Sequence, residues 1–196
     1  MPNVSGRAIS ARADFVRERF GAQGWRDVET RLPPHLLAVL DRPVDPGGWY
    51  PMDLYAQLQR AVGDAFGAGD GAALLDELGA FAAERNAAAM YGPPGRDPFE
   101  FFKHIARMHR QTFDFGQTTV VRRPGGCIIE IDYEGHATEL ICSSATGFYR
   151  RCAEMNGARN VRVAAQSCQA RGEATCLFEV AWRKIRRTLS PPTSIR

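Results

Sequence analysis

The sequence lacks long hydrophobic runs and carries little net charge, and each absence argues against a class of protein. No window of the 196 residues approaches the ~18 uninterrupted apolar residues of a membrane span. The first ten residues, MPNVSGRAIS, contain no apolar core like that of a signal peptide, so we expect a cytoplasmic location. A net charge of +3 does not indicate nucleic-acid binding by itself.

Motifs typical of enzymes and of DNA-binding domains are also missing. The sequence has no glycine-rich nucleotide loop, no recognisable paired-carboxylate motif, no nucleophile elbow and no helix-turn-helix pattern. These absences favour a protein without catalytic activity. A reactive cysteine keeps a reductase-like or thiol-dependent enzyme open as the less favoured hypothesis.

The sequence does contain a helical part followed by a strand-rich part. Apolar residues recur at helical intervals over about residues 11–115, with the first helix interrupted near Gly21 and Gly24. From about residue 116 to 182 the pattern changes, and QTTVVRR and CIIEIDY predict a β-hairpin around Pro124. We therefore predict one α+β domain over residues 1–182, followed by a basic, solvated tail at 183–196.

The five cysteines are not equivalent in their local sequence. An odd number without a tight spacing indicates packed thiols, metal ligands or reactive thiols rather than a disulfide framework. Cys127 and Cys152 fall in apolar rows, which predicts core positions. Cys142 lies off the apolar stripe in the first turns of its helix, where the backbone N–H groups favour a thiolate.

The other two cysteines, Cys168 and Cys176, lie at the open end of a predicted hairpin. Its sequence, CQARGEATCLFEVAW, spans residues 168–182. If Cys168 and Cys176 face each other, Gln166 lies opposite Phe178 and both sulfurs project from one face. With Cys142 from a packed helix, the three thiols would form three-quarters of a tetrahedral zinc site. The spacing C-x25-C-x7-C is not a zinc-knuckle pattern, so buried thiols without metal remain an alternative.

The segment PFEFFKHIARMHRQTFDF, residues 98–115, supplies candidate ligand-binding residues. Phe102, His109 and Phe113 share one line of the predicted helix, whereas His104 faces outward. A histidine between two phenylalanines suits the polar atom of a buried ligand. The simpler alternative is a core-edge histidine that is hydrogen-bonded to a backbone carbonyl.

Residues 142–182 resemble the C-terminal part of V4R domains, named after 4-vinyl reductase and found as sensors in phenol- and toluene-responsive transcription activators. The shared pattern is a helix that starts with a cysteine and carries Gly147 and Phe148, then a strand, then Cys-x-x-x-Gly-Glu/Asp-x-x-Cys-x-Phe. A longer likeness is to an uncharacterised myxobacterial family of about this length, on residues 15–21, 49–51, 69–70 and 168–182.

This resemblance implies the fold shared by V4R domains, haem-nitric-oxide sensors and a vesicle-tethering subunit, a helical layer on a twisted antiparallel sheet. In the phenol-sensing relatives, three cysteines at this spacing bind zinc together with a glutamate. Cys142, Cys168 and Cys176 match those cysteines, but Ala165 stands at the glutamate position, so the fourth ligand is missing. The haem-binding branch needs Tyr-x-Ser-x-Arg, which this sequence lacks, so haem is not expected.

Together these patterns predict a regulatory or sensory module that binds a small hydrophobic ligand between helices and sheet and signals through a protein partner. His109, Phe102 and Phe113 are the candidate ligand contacts. The alternative is a protein-interaction or scaffold dimer without a ligand, because the related tethering subunit and the sensor domains both dimerise. Specific nucleic-acid binding is not expected.

Overall fold

In the computed structural model, which describes residues 1–92, 95 and 97–184, a helical layer packs on a four-stranded antiparallel sheet. The α+β fold predicted from the sequence is confirmed. The helices are α1 (Gly6–Glu29), α2 (Pro34–Leu37), α3 (Met52–Phe66), α4 (Gly71–Tyr91), α5 (Pro98–Arg107) and α6 (Glu139–Met155). The strands are β1 (Asn3–Ser5), β2 (Trp49–Pro51), β3 (Gln117–Arg123), β4 (Gly126–Asp132), β5 (Ala158–Ser167) and β6 (Cys176–Lys184).

Helix α1 begins five residues earlier than the sequence pattern suggests. The Ser5 side chain caps it by accepting a hydrogen bond from the Arg7 N–H. The expected interruption falls at Gly21, whose φ of 71° lies in the left-handed region that glycine adopts without strain. The kink lets the two halves of α1 carry separate apolar faces, one with Phe15 and Val16 and the other with Trp25.

Helices α4 and α6 approach each other closely because glycine occupies both contact points. A β-carbon on Gly79 would lie 1.8 Å from the Ser144 carbonyl oxygen, and one on Gly147 would lie 1.8 Å from the Asp76 carbonyl oxygen. The backbones of α4 and α6 can approach this closely only because glycine has no side chain. The glycine before Phe148 in the sequence therefore serves helix packing.

Helix α5 is shorter than the helical pattern over 98–115 predicts. It ends at Arg107, and a short 3-10 turn follows at His109–Gln111. The next residues pair instead with the N-terminal strand, since the Ser5 N–H donates to the Thr112 carbonyl and the Asp114 N–H donates to the Asn3 carbonyl. This pairing uses backbone N–H and carbonyl groups that would otherwise form hydrogen bonds within a longer α5.

The main sheet has the strand order β3-β4-β6-β5, so β4 and β6 are its central strands. The hairpin around Pro124 is present as predicted. The register of the second hairpin was predicted wrongly by one residue: Ala165, not Gln166, lies opposite Phe178. A register shift between Ala165 and Ser167 explains the difference, because a bulge adds one unpaired residue to β5.

Strand β6 extends to Lys184, so the first two residues of the predicted tail belong to the sheet. The rest of that tail, residues 185–196, lies outside the described residues. Among the described helices, none combines the length and apolar character needed to cross a bilayer. The core lies where α6 and the other helices meet the sheet, with Phe101, Phe178 and Ile129 among its fully buried side chains.

Candidate functional site

Three of the five cysteines meet between α6 and the open end of the β5–β6 hairpin. Cys142 lies in the first turns of α6, Cys168 follows the last residue of β5, and Cys176 begins β6. All three are buried, and their side chains are 6%, 1% and 0% exposed, respectively. The candidate ligands that the sequence suggested thus lie together in space.

The sulfur atoms are close enough to share one ion. The Cys142 sulfur is 3.2 Å from the Cys168 sulfur and 3.4 Å from the Cys176 sulfur, and all three lie within 4.8 Å of one another. Zn–S bonds of about 2.3 Å in a tetrahedron place sulfurs roughly 3.8 Å apart. The donor set and its spacing therefore fit a soft metal ion such as zinc.

The fourth ligand is not supplied by Ala165, which is exposed on β5. Among the described residues, the group of side chains close enough to share a metal ion consists of the three cysteines alone. Such a three-thiol site would leave one coordination position for a water molecule or another exogenous ligand.

The proton distribution in the cluster differs from the sequence-based expectation. The Cys142 thiol donates to the Cys176 sulfur, and this hydrogen bond raises the pKa of Cys142 and lowers the pKa of Cys176 to about 6. The Gln169 N–H also donates to Cys176, at 3.4 Å. The geometry therefore favours Cys176 over Cys142 as the thiolate of the cluster, because these bonds stabilise a charge on Cys176.

The other two cysteines lie in the core, as the sequence predicts. Cys127 on β4 and Cys152 on α6 are fully buried. Burial raises the pKa of Cys127 to about 12 and raises that of Cys152 as well. Both thiols stay protonated at neutral pH and serve as small apolar side chains.

A separate cavity of about 90 Å³ lies between the helical layer and the sheet. Its apolar wall includes Ala8, Ile105, Phe113, Ile131, Ile141 and Ala145. Its polar lining includes Arg12, Tyr55, His109, Tyr133 and Ser144. Side chains from both layers thus meet around one small space that is mostly apolar, with a few polar groups, as is typical of a ligand pocket.

His109 lines this cavity, but both of its ring nitrogens are engaged by the protein. Nδ1 is 2.8 Å from the Thr118 hydroxyl oxygen, and Nε2 is 2.8 Å from the Phe115 carbonyl oxygen. Since a carbonyl only accepts, Nε2 carries the proton and Nδ1 accepts from Thr118. Burial lowers the pKa of His109, so the ring is neutral at pH 7.

The two phenylalanines proposed beside His109 have different positions. Phe113 lines the cavity, with its ring centroid 5.3 Å from that of His109. Phe102 does not line the cavity. It packs in the core, where its ring centroid lies 6.2 Å from that of Trp182. The two separate because α5 ends at Arg107, so Phe102 and Phe113 do not share a helix face.

Arg12 and Tyr55 also line the cavity, and no sequence pattern predicted them. Arg12 on α1 is 4% exposed, and its Nη1 donates to the Ala8 carbonyl at 3.0 Å while its Nη2 donates to the Tyr55 hydroxyl. Its Nε has no hydrogen-bond partner within the described part of the chain. The available signal was that Arg12 shares a helix face with the apolar residues Ile9, Phe15 and Val16.

Comparison with solved structures shows how this arrangement of helices and sheet is related to known proteins. An H-NOX protein from S. oneidensis in the Fe(II)NO ligation state superposes with a TM-score of 0.69 at 12% identity, covering 92% of this chain and 99% of the other. The unliganded Fe(II) H-NOX protein from K. algicida gives 0.64 at 13% identity, covering 92% and 97%. The fold is that of the H-NOX domains.

Sequence comparisons identify no family for this chain. A scan against protein-family models and a search of curated proteins gave no match. The resemblance to V4R domains therefore stays a prediction. A third H-NOX structure, an oxygen-binding domain related to soluble guanylate cyclases, has a TM-score of 0.64 at 12% identity and covers 92% of this chain and 95% of its own.

The residues around the cavity do not fit a haem. Pockets for drug-sized ligands measure ~300–1,000 Å³, whereas this cavity measures about 90 Å³. His109 is the histidine among the lining residues, and the Phe115 carbonyl and Thr118 hydroxyl occupy the nitrogens that would coordinate iron.

Proposed function

We propose that this chain is a non-catalytic sensory module that binds a small, mostly apolar ligand in the cavity between its helices and its sheet. The observation that carries the proposal is that one cavity is lined by both layers. A ligand there would contact α1, α4 and α6 together with β4 and would change how the layers pack. Binding would thereby be transmitted to the outer surface of the helices, where a partner protein can detect it.

The test is a thermal-shift screen of compact apolar compounds on the purified chain, followed by calorimetry of those that raise the melting temperature. A ligand that binds the folded state stabilises it by about 2.7 kcal/mol at a concentration 100 times its Kd. The Ala145→Leu variant fills the cavity and is expected to abolish the shift. Ala72→Leu, at an exposed position on α4, is the matched control and is expected to respond like the natural chain.

A screen in which no compound shifts the natural chain would contradict the proposal. So would a shift that persists unchanged in Ala145→Leu, because the compound would then bind elsewhere. Incubation with hemin belongs in the same screen. A stoichiometric Soret band would show that the cavity opens to accept a macrocycle. The ligand of the proposal would then be haem instead of a small molecule.

We further propose that Cys142, Cys168 and Cys176 bind one zinc ion. The supporting observation is the convergence of three buried sulfurs at distances near those of a zinc site. A bound zinc would hold α6 against the β5–β6 hairpin and keep the three sulfurs as thiolates. Because Ala165 offers no ligand, the fourth position would be open to exchange.

Elemental analysis of protein purified without chelator tests the zinc proposal. About one zinc per chain is expected, and the Cys168→Ser variant is expected to lose it. Cys152→Ala, which removes a buried thiol outside the cluster, is the control and should retain it. A fully folded natural chain without metal, still metal-free after exposure to zinc, would rule the site out.

The proposal also covers the cellular compartment and the oligomeric state of the protein. All five cysteines are free, which suits a reducing compartment such as the cytoplasm. A homodimer that reports through a second protein is the proposed assembly, and a scaffold dimer without ligand is the alternative. Sedimentation of the chain with and without ligand distinguishes them, because only the sensor changes its assembly or partner affinity on ligand binding.

A further inference from the structure

The cavity contains a buried positive charge that no described residue neutralises. The Arg12 guanidinium contacts the Ala8 carbonyl, the Tyr55 hydroxyl and the Tyr55 ring, whose centroid is 4.1 Å from the guanidinium carbon. None of these groups carries a charge opposite to that of Arg12. Burial lowers the pKa of Arg12, and the phenols of Tyr55 and Tyr133 counteract that shift. A buried charge without a counter-ion is costly and therefore rare.

Among the residues that the structure describes, no side-chain carboxylate serves as the counter-ion of Arg12. No described aspartate or glutamate forms an ion pair with Arg12. The residues outside the described ranges, 93, 94, 96 and 185–196, include no aspartate or glutamate. His109, the other basic side chain of the lining, is neutral and bonded to Thr118 and Phe115. Arg12 is therefore the charged group of the cavity lining.

One guanidinium nitrogen is also free to donate. Nε of Arg12 is buried and has no hydrogen-bond partner among the described residues, although a buried donor left unsatisfied is destabilising. Nε and a terminal nitrogen form the edge of arginine that holds a carboxylate through two parallel hydrogen bonds. The Tyr55 hydroxyl already accepts from Nη2 and so orients the group.

We propose that the cavity binds a small organic anion, a carboxylate with a compact apolar body, and that Arg12 recognises its carboxylate group. This inference rests on the proposed function, since it names the chemical class of the ligand. The apolar body would contact Ile105, Phe113 and Ile131. The cavity of about 90 Å³ is smaller than the engineered cavity of ~150 Å³ that holds benzene, which limits the body to a few carbons.

The experiment compares carboxylates with neutral molecules of the same shape. Acetate, propionate and butyrate are titrated into the natural chain at constant ionic strength, each beside its primary amide. The carboxylates are expected to bind at least about tenfold more tightly than the amides, the factor that one charge-assisted hydrogen-bonded contact provides. Sodium nitrate at the same concentration controls for charge alone and is expected to have little effect.

The variant that tests Arg12 is Arg12→Met, which keeps an unbranched side chain of similar length without the charge. It is expected to lose the preference for carboxylate over amide. Without ligand it is expected to melt about 2–4 °C higher than the natural chain, as removal of about 1 kcal/mol of unpaired-charge cost predicts. The matched control, Arg19→Met on the exposed side of α1, is expected to keep the carboxylate preference.

The outcomes separate this inference from the proposed function. If amides and carboxylates bind equally and Arg12→Met binds both, the cavity holds a ligand but the anion inference is wrong. If nitrate stabilises the chain as strongly as butyrate does, the organic part of the inference is wrong. If no compound of either class binds the natural chain while the wider thermal-shift screen does find a ligand, the anion inference alone is wrong; if that screen also finds none, the proposed function itself fails. A lower melting temperature of ligand-free Arg12→Met would assign Arg12 a structural role and would overturn the inference as well.

Discussion

Gln59 is the residue whose chemistry conflicts most clearly with its surroundings. It is fully buried in α3, and neither its amide nitrogen nor its amide oxygen has a hydrogen-bond partner in the residues that the structure describes. An unsatisfied buried amide loses its hydration without compensation. Natural proteins retain such groups where function or specificity outweighs stability.

Replacement of this amide is expected to stabilise the protein. Gln59→Leu should raise the free energy of unfolding by about 1–3 kcal/mol, since it removes two unsatisfied polar atoms and keeps a similar volume. Urea unfolding measures the change. Gln57→Leu, on the same helix but half-buried, is the control and should change stability by less than about 0.5 kcal/mol. A destabilised Gln59→Leu would mean that the amide has a partner when the protein is in solution.

His109 is expected to make the stability depend on pH. Burial holds its pKa in the folded chain below its ordinary value of about 6.5. Below pH 6.5 the unfolded chain therefore binds a proton that the folded chain does not, and stability falls as pH decreases, by up to about 1.4 kcal/mol per pH unit. Above pH 6.5 this contribution is constant.

Urea unfolding at intervals from pH 8 to pH 5 measures this dependence. His109→Gln can still donate to the Phe115 carbonyl and accept from Thr118, so it should fold and show a flatter profile. His35→Gln, which alters an exposed histidine, should leave the profile of the natural chain unchanged. Identical profiles for His109→Gln and the natural chain would show that His109 is not the titrating group.

At the scale of elements, the contact between α4 and α6 determines the shape of the cavity. Gly79 lines the cavity and stands against the Ser144 carbonyl, and Ser144 lines it from the other helix. If the two helices separated, the cavity would widen and lose its lining. The close approach of the glycines is thus a condition for the site.

A single methyl group should disrupt this contact. Gly79→Ala places a carbon 1.8 Å from the Ser144 carbonyl oxygen, so the helices must move apart, at a cost of about 1–3 kcal/mol or more. Gly63→Ala is the control, because it lies inside α3 with open space around the added carbon, and it should stabilise by about 0.5–1 kcal/mol. Chemical denaturation of both variants measures the difference. Equal stability of Gly79→Ala and the natural chain would contradict the proposed packing role.

Sequence periodicity predicted which helices and strands form better than it predicted where they end and which distant residues they contact. The α+β order, the break at Gly21 and the core positions of Cys127 and Cys152 follow from local patterns, because burial of one face imposes a period on the sequence. The end of α5 at Arg107 and the bulge in β5 depend on pairing with distant residues, which no local pattern records. Arg12 was missed for the same reason, since only the folded chain shows that it lacks a counter-ion.

At the scale of the whole molecule, the cysteine cluster ties the helical layer to the sheet. Cys142 belongs to α6, whereas Cys168 and Cys176 belong to the hairpin that ends the sheet. A metal bound there would be present in the folded chain and lost on unfolding. Its binding free energy would then contribute directly to the stability of the layered fold.

Zinc is therefore expected to raise the melting temperature of chelator-treated protein. At a free zinc concentration 1,000 times the Kd the gain is about 4.1 kcal/mol, which corresponds to roughly 8–16 °C for a chain of this size. Differential scanning calorimetry across a zinc titration measures it. Cys142→Ser should melt at one temperature throughout the titration, whereas Cys152→Ala should still respond. A melting temperature of the natural chain that does not change with zinc would show that the three sulfurs serve the fold as thiols, held together by the hydrogen bond from Cys142 to Cys176.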